Sequence, residues 1–315
     1  MGALPALVAL VALGAVLALL GPRAVARARW TVQEPVVALW AWQCIVVAVL
    51  LCCGCALVLA VAAAWPDVRS LVFAGAPAGV EAAYGFPSAR PWATAAAFVF
   101  ALGAVRTALA LAYELAGARA VRRRQRRQLA RQAPDLHPEL RPSAGAGPSE
   151  QLVVLESAEP RAWALPGPVP RMVVTTGALR RLSDRELAAL LAHERGHVRA
   201  RHHWLLSAAE ALAAGFPAVR LFAQFRDEVG RLVELAADDS AARRHGRLAT
   251  AIALVELNPE STCTHPLAQI PTRVDRLLAS APRLQAWQRL ALTLAALALP
   301  LAPVLLSLTP GLTAL

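Results

Sequence analysis

The sequence predicts a mainly α-helical, polytopic membrane protein with four transmembrane helices and a cytoplasmic α+β domain between the third and the fourth. Three observations support this fold class. The chain is 57% hydrophobic and contains four long apolar stretches. All of its basic residues are arginine, its net charge is +11, and the arginines concentrate beside particular apolar stretches. Between the third and fourth stretches, short strand-like segments precede helical patterns of apolar and polar residues.

Each apolar stretch is long enough to cross a bilayer, which requires about 17 to 25 helical residues. The stretches cover residues 4–20, 36–64, 92 to about 118, and 290–308. The first is unlike a signal peptide, because its positive charges follow the apolar run and none precede it. We expect it to remain as a span, with cleavage near Ala26 as the alternative.

Arginine placement predicts the orientation in the membrane. Three arginines follow the first span and seven follow the third, whereas the connection at residues 66–91 holds two. Positive residues concentrate on the cytoplasmic side, so the N-terminus is expected outside a bacterial inner membrane and residues 119–289 in the cytoplasm. The arginine run at residues 119–131 abuts a span and lacks interleaved aromatic residues. We expect it to contact anionic lipid headgroups of the bilayer, and we expect no direct nucleic-acid binding.

The most specific motif is HERGH at residues 193–197. Residues four apart share one face of a helix, so His193 and His197 can hold one metal ion while Glu194 takes a proton from the attacking water. Zinc favours these donors, and a catalytic zinc site keeps one of its four positions open. A capping box at Ser183 and Glu186 precedes an apolar run and places the motif within a helix. The pattern therefore predicts a zinc peptidase.

The third metal ligand must come from elsewhere in the chain. Glu234 and Asp238 lie four apart on a second predicted helix and share one face. Glu234 is the expected ligand, and Asp238 is placed to accept a hydrogen bond from the outer ring nitrogen of a zinc-binding histidine. Glu228 and Glu210 are weaker alternatives for the ligand, and an ordinary solvated acidic face is the non-functional interpretation.

His203 is a further alternative, because one class of zinc peptidases takes its third ligand from this distance, after a helix-breaking glycine. Here Ala200 occupies the breaking position, so we expect the helix to continue. At about 100° per residue, a continuous helix points His203 away from the metal face and His202 almost opposite to it. That class also needs a methionine turn after the motif, and both methionines precede it.

The segments around the motif complete the predicted domain. Short strands are expected at residues 152–155, 162–165 and 172–175, and an edge strand can hold an extended substrate by backbone pairing. After the motif, His265 is a candidate donor to the oxyanion of the tetrahedral intermediate, and Arg273 could support it. A capping or exposed histidine is the equally weighted interpretation of His265.

Two features of the apolar segments need separate interpretations. Residues 204–225 form a fifth apolar stretch, but a single crossing there would put the two parts of the zinc site on opposite sides of the membrane. We expect a helix, broken near Gly215-Phe216-Pro217, that packs in the domain or against the membrane surface. Arg106 and Glu114 lie inside the third span, where we expect snorkelling or pairing within the bundle, with a role in signalling as the alternative.

The chain contains, in order, AWALPG at 162–167, VVTTGAL at 173–179, HERGH followed by Arg201-His202, ELAAD at 234–238, and His265-Pro266. This series resembles membrane-embedded gluzincins, which include the HtpX and CAAX-protease type and the BlaR/MecR type. The resemblance covers residues 152–278 and the arrangement of spans, and the zinc motifs are its most specific part. Three spans before the domain and one after it are more similar to the BlaR/MecR type.

The resemblance implies that His193, His197 and Glu234 bind zinc. It also implies that Glu194 is the general base and that Asp238 is the hydrogen-bond partner of a zinc-binding histidine. His265 and Arg273 match the transition-state histidine and arginine of the HtpX side only approximately, because the spacing between them is longer here. BlaR/MecR-type proteins carry an extracellular penicillin-binding sensor after the last span, where this sequence stops, so we do not expect β-lactam sensing. The resemblance implies regulated proteolysis of a cytoplasmic protein, such as a transcriptional repressor, in signal transduction.

The hypothesis is therefore a membrane-bound zinc endopeptidase whose substrate is a protein or peptide. The predicted parts are three transmembrane helices at 1–118, a basic and Pro/Gly-rich linker at 119–150, a zinc metallopeptidase domain at 151–286, and a fourth helix with a short tail at 287–315. The alternatives are a non-catalytic membrane receptor or scaffold with a structural zinc, and a transporter in which the motif is accidental. The oligomeric state stays open.

Overall fold

The computed structural model describes residues 2–77, 79–86, 91–132, 151–167, 170–257, 270–279 and 284–313. These residues form two compact units. The first, here called the apolar unit, comprises Met1–Ala112, Ala209–Arg226 and Leu284–Leu315. The second, here called the sheet unit, comprises Tyr113–Ala208 and Asp227–Arg283.

The N-terminal third of the chain is helical. Its helices are α1 (Ala3–Ala26), α2 (Trp30–Gln33), α3 (Pro35–Ala64), α4 (Pro66–Val72), α5 (Val80–Ala83) and α6 (Pro91–Gln132). Small and aliphatic residues of α1 and α3 form much of the core of the apolar unit, and Tyr84 closes it by donating a hydrogen bond to the Ser307 carbonyl at 3.0 Å. Helix α6 continues to Gln132, so the arginine run that was expected to begin a linker extends the third apolar helix instead. Residues 133–150 lie outside the described residues.

The sheet unit begins with three strands, β1 (Gln151–Leu155), β2 (Ala162–Leu165) and β3 (Arg171–Thr175), at the predicted positions within one residue. Strand β3 is central, with β1 parallel and β2 antiparallel to it. One edge of β2 is therefore left without a strand partner among the described residues.

The remaining elements are all helices. They are α7 (Thr176–Arg181), α8 (Asp184–Arg199), α9 (His202–Gly215), α10 (Arg220–His245), α11 (Arg247–Glu256), α12 (Ile270–Leu278), α13 (Ala286–Ala298) and α14 (Leu301–Leu312). The predicted start of α8 is confirmed, since the Glu186 carboxylate accepts the backbone N–H of Ser183 at 2.8 Å. The predicted break near residues 215–217 is also confirmed, because α9 ends at Gly215 and α10 begins at Arg220.

The apolar helices suit a membrane. Helices α1, α3 and the Pro91–Gln128 part of α6 are long and apolar enough to cross one, and α13 with α14 would add a fourth span if this pair, bent by 47°, is counted as one. The fourth stretch was expected as one transmembrane helix, and Pro300 lies at the bend between α13 and α14, where proline removes a backbone donor and clashes with the preceding turn.

Residues 209–226, at the break between α9 and α10, group with the apolar unit. Within that unit, the Arg106 side chain donates a hydrogen bond to the Gly215 carbonyl at the C-terminal end of α9. The rings of Trp42 and Phe225 lie 6.4 Å apart, measured between centroids. A cation at a helix C-terminus is favoured by unpaired carbonyls and the helix dipole, so Arg106 has a protein partner, as expected for a charge in an apolar helix.

Candidate metal centre

Six of the seven predicted site residues lie on helices of the sheet unit, and His265 lies outside the described residues. Helix α8 carries His193, Glu194 and His197, α10 carries Glu234 and Asp238, and α12 carries Arg273. Helices α8 and α10 approach closely at Gly196, where an added Cβ would lie 3.4 Å from the Ala237 Cα atom.

The nitrogen and oxygen atoms of three side chains converge on one point. The Nε2 atoms of His193 and His197 are 3.1 Å apart, and each lies 3.5 Å from a carboxylate oxygen of Glu234. Four ligands at about 2.1 Å from a tetrahedral zinc ion are about 3.4 Å from one another. The donors present and their spacing therefore fit zinc. Within the described part of the chain, no other group of three histidine, cysteine or acidic side chains meets the same criterion.

The other proposed ligands have different surroundings. The Glu228 carboxylate bonds Arg231 at 2.7 Å on its own helix, and an oxygen of Glu210 lies 3.9 Å from Arg226. His203 does not belong to the converging group either, although its side chain lines a cavity beside it. Among the candidates considered from sequence, Glu234 is thus the one that the structure brings to the two histidines.

Asp238 and Arg273 surround the first histidine and Glu234. Asp238, which is 1% exposed, has a carboxylate oxygen 3.0 Å from His193 Nδ1. The Arg273 guanidinium binds both Asp238 oxygens, at 2.8 and 2.7 Å, and its third nitrogen lies 3.0 Å from Glu234. These contacts orient the His193 ring and the Glu234 carboxylate. The predicted role of Arg273, which is to support the donor to the oxyanion, would require a contact with substrate in addition to its contacts with Asp238 and Glu234.

The expectation that α8 would continue past Ala200 is wrong. The helix ends at Arg199, and Arg201 adopts a left-handed backbone with φ of 53°, so α9 starts in a new direction at His202. Instead of pointing away, His202 is 5% exposed, and its Nδ1 lies 3.0 Å from Nδ1 of His197. Helical periodicity could not show this contact; the pair Arg201-His202 in the gluzincin-like series was the available signal.

Burial and neighbouring charges set the protonation of the centre. Burial alone would lower the pKa of His193, but hydrogen bonds to Asp238 and Glu234 outweigh it and raise the pKa to about 9. Burial and the adjacent His193 lower the pKa of His197 to about 4. Although burial would raise the pKa values of Glu234 and Asp238, their hydrogen-bonding partners hold both at about 2. One histidine therefore holds a proton at neutral pH, and the other is free to ligate.

Glu194 lies against the edge of the sheet. One of its carboxylate oxygens accepts the backbone N–H of Ala164 in β2 at 3.0 Å. Burial raises the pKa of Glu194, and the nearby His193 and the bond from Ala164 act in the opposite direction. A carboxylate with a raised pKa is a stronger base, as general-base catalysis near neutral pH requires.

Two cavities adjoin the centre, and both are lined by Trp163, His193, Glu194 and Glu234. The larger, of about 350 Å³, is lined by residues that include Leu190 of α8, Leu254 of α11 and Arg273. The smaller, of about 280 Å³, is lined by residues that include Pro166, His203 and Leu206. The centre is thus accessible, with room for side chains on both sides.

Comparison with known proteins identifies a family. The model of Peptidase family M48 matches residues 123–281, about half of the 315 residues. A stretch of 90 residues is 34% identical to the protease HtpX homolog of Burkholderia thailandensis, covering 27% of this chain and 31% of that protein. A stretch of 92 residues is 36% identical to the protease HtpX homolog of Ralstonia nicotianae, covering 27% and 32%. The chain thus spans about a third of the length of these curated relatives.

No solved structure matches the chain. The HtpX side of the resemblance found in the sequence is confirmed, whereas these comparisons do not specifically support the BlaR/MecR type. A metallopeptidase fits both the family and the cluster of two histidines and one glutamate described above. With about half of its length matched, the chain belongs to Peptidase family M48.

Proposed function

We propose that this protein is a membrane-bound zinc endopeptidase that hydrolyses a cytoplasmic protein or peptide at the centre formed by His193, His197 and Glu234. The observation that carries the proposal is the spacing of the three ligand atoms, 3.1 to 3.5 Å, which suits a tetrahedral ion. When bound there, zinc polarises the scissile carbonyl and lowers the pKa of a water molecule to about 7.

Glu194 acts as the general base in this proposal. Its half-buried carboxylate lines both cavities, and its raised pKa suits proton transfer near neutral pH. It accepts the proton of the attacking water and passes it to the leaving amine. Asp238 holds the His193 ring through Nδ1, and Arg273 balances the charges of Asp238 and Glu234. His265 completes the proposed set as a donor to the oxyanion, and Arg273 is proposed to support it in that role.

Strand β2 is the proposed substrate platform. It is the edge of the sheet beside Glu194, and the N–H of Ala164 is directed towards that carboxylate and not towards β3. An extended peptide that adds to this edge would present its backbone to Glu194, and its side chains would enter the two cavities that Trp163 lines. This arrangement favours an unfolded or extended segment of a protein over a compact domain.

We further propose the topology and the regulatory role. The arginine distribution supports an outside N-terminus, a cytoplasmic domain at residues 151–286 in a bacterial inner membrane, and contact of the arginines at 119–131 with anionic lipids. The arrangement of apolar helices before and after that domain supports a likeness to the BlaR/MecR type. On that likeness rests the proposal that the substrate is a repressor and that its cleavage transmits a signal.

Zinc content and cleavage, measured together, test the proposal. Wild type, Glu194→Gln and Glu234→Ala are purified in detergent, and each is assayed for zinc and for cleavage of unfolded casein. We expect near-stoichiometric zinc in wild type and in Glu194→Gln, with cleavage reduced at least about 100-fold in the latter. Glu234→Ala should lose both zinc and cleavage.

Three outcomes would contradict this function. Wild-type rates in Glu194→Gln would remove Glu194 as the base. Equal zinc in wild type and Glu234→Ala would remove Glu234 as a ligand. The third outcome is that wild type and both variants contain zinc, none of them cleaves the substrate, and Glu194→Gln still binds a partner protein. This outcome would favour a receptor with a structural zinc.

A further inference from the structure

His202 is a buried titratable side chain that the proposed mechanism does not use. It is 5% exposed at the start of α9, and its ring lies at 84° to that of His197 with the two centroids 4.9 Å apart. The Nδ1 atoms of the two rings are 3.0 Å apart. An Nδ1–Nδ1 contact of this length between neutral imidazoles is a hydrogen bond only if one ring donates and the other accepts.

We propose that His202 is a positioning residue that fixes the tautomer and the ring orientation of His197, so that Nε2 of His197 is the atom available to zinc. The inference rests on the proposed zinc centre. Nε2 of His197 faces His193 and Glu234, so its lone pair must remain free there. The proton of a neutral His197 ring then resides on Nδ1 and is donated to Nδ1 of His202, which carries its own proton on Nε2.

The backbone brings His202 into this position. Helix α8 closes with hydrogen bonds from the N–H of Ala200 to the Gly196 carbonyl at 3.0 Å and from the N–H of Arg201 to the Val198 carbonyl at 3.1 Å. Arg201 then adopts a φ of 53°, a conformation that side chains other than glycine rarely take and that surrounding structure must stabilise. The turn separates α8 from α9, and the first residue of α9 contacts the second histidine of the motif.

The two histidines are thereby held in different ways. His193 is held by Asp238, a carboxylate that is itself bound to Arg273, whereas His197 is held by an uncharged ring. A carboxylate partner raises the basicity of a ligand, but a neutral imidazole only orients it. The second partner therefore adds rigidity to the centre without adding another negative charge beside Glu234.

Variants at position 202 of the full-length protein test this role. His202→Phe keeps a ring but removes the acceptor, and His202→Asn places an amide oxygen close to where Nδ1 lies. Zinc affinity is measured by competition with a chelator, and the visible spectrum of the Co²⁺-substituted protein reports ligand geometry. His245→Phe is the matched control, because His245 lies at the end of α10 and does not line either cavity.

We expect His202→Phe to bind zinc about 10- to 100-fold more weakly, with an altered cobalt spectrum, since loss of such partners usually has this effect. His202→Asn should recover affinity to within a few-fold of wild type, and His245→Phe should match it. A folded His202→Phe protein with wild-type affinity and spectrum would overturn the inference. Equal loss in the Phe and Asn variants would also overturn it, because the acceptor would then be irrelevant. If wild type itself binds no zinc, the proposed function fails first, and this inference fails with it.

Discussion

Replacing Arg273 by alanine should destabilise the sheet unit strongly, because this side chain is part of a buried ion pair. Arg273 is about 10% exposed and makes two hydrogen bonds, of 2.8 and 2.7 Å, to Asp238, which is 1% exposed. Its remaining nitrogen lies 3.0 Å from Glu234. Removing the guanidinium therefore leaves a buried carboxylate without its main counter-charge.

The size of the effect follows from burial. Breaking a buried pair by removing one partner costs about 3–5 kcal/mol. His193 Nδ1 remains 3.0 Å from Asp238 and still donates a hydrogen bond to it, so we expect the lower end, about 3 kcal/mol. This is a large part of the roughly 5–15 kcal/mol by which domains are stable. The melting temperature should fall by on the order of 10 °C.

The control is Arg231→Ala, which makes the same chemical change in a more exposed pair. Arg231 bonds Glu228 at 2.7 Å, but both side chains are about a quarter exposed, and such pairs contribute at most about 1 kcal/mol. Thermal unfolding of both variants in detergent, followed by circular dichroism, gives the comparison. If Arg273→Ala melts no lower than Arg231→Ala, the assignment of Arg273 as a buried structural charge is refuted.

Further predictions concern glycines and protons. Gly177→Ala should destabilise the fold by about 1–3 kcal/mol in thermal unfolding, because a Cβ there would meet the Ala158 carbonyl carbon at 2.7 Å; an unchanged melting point would contradict this. Gly230→Ala should instead stabilise the fold by about 0.5–1 kcal/mol, because Gly230 lies within α10 and an added Cβ would have no atom within 4 Å. A loss of stability would contradict the open space around this position. At pH 6, zinc uptake should release about one proton, because His193 (pKa about 9) is protonated and His197 (pKa about 4) is not. Calorimetry in two buffers with different ionisation enthalpies measures the number of protons released. The affinity for zinc should also rise about tenfold per pH unit from pH 6 to pH 8. Release of no protons, or of two, would contradict this prediction.

Local patterns were sufficient for much of this fold. The strand positions follow from short runs separated by proline and glycine, and the start of α8 follows from a capping box. The break after Gly215 follows from a glycine two residues before a proline, and all of these signals act over a few residues. The structure also brings Glu234 and Asp238 to the histidines, as their spacing on one helix face suggested. Because proline disfavours a continuous helix, Pro300 was also a local signal for the bend between α13 and α14, but the fourth apolar stretch was expected only as one span.

Other features depend on tertiary contacts and were not visible in local sequence. Ala200 is a good helix former, so nothing in its neighbourhood predicts that α8 ends at Arg199 or that Arg201 turns left-handed. The contact of His202 with His197 follows from that turn. Composition likewise suggested a linker from residue 119, whereas helical propensity of arginine and alanine extends α6 to Gln132.

The motif at 193–197 encodes helix packing as well as chemistry. His193, Gly196 and His197 occupy one face of α8, at positions i, i+3 and i+4. Glu234, Ala237 and Asp238 occupy the same three positions on one face of α10. The two small residues meet, since a Cβ on Gly196 would lie 3.4 Å from the Cα and 3.6 Å from the Cβ of Ala237. A larger side chain at either position would push the helices apart and widen the 3.1 to 3.5 Å separations between ligand atoms. The small residue in each segment therefore determines whether the ligands can converge on one ion.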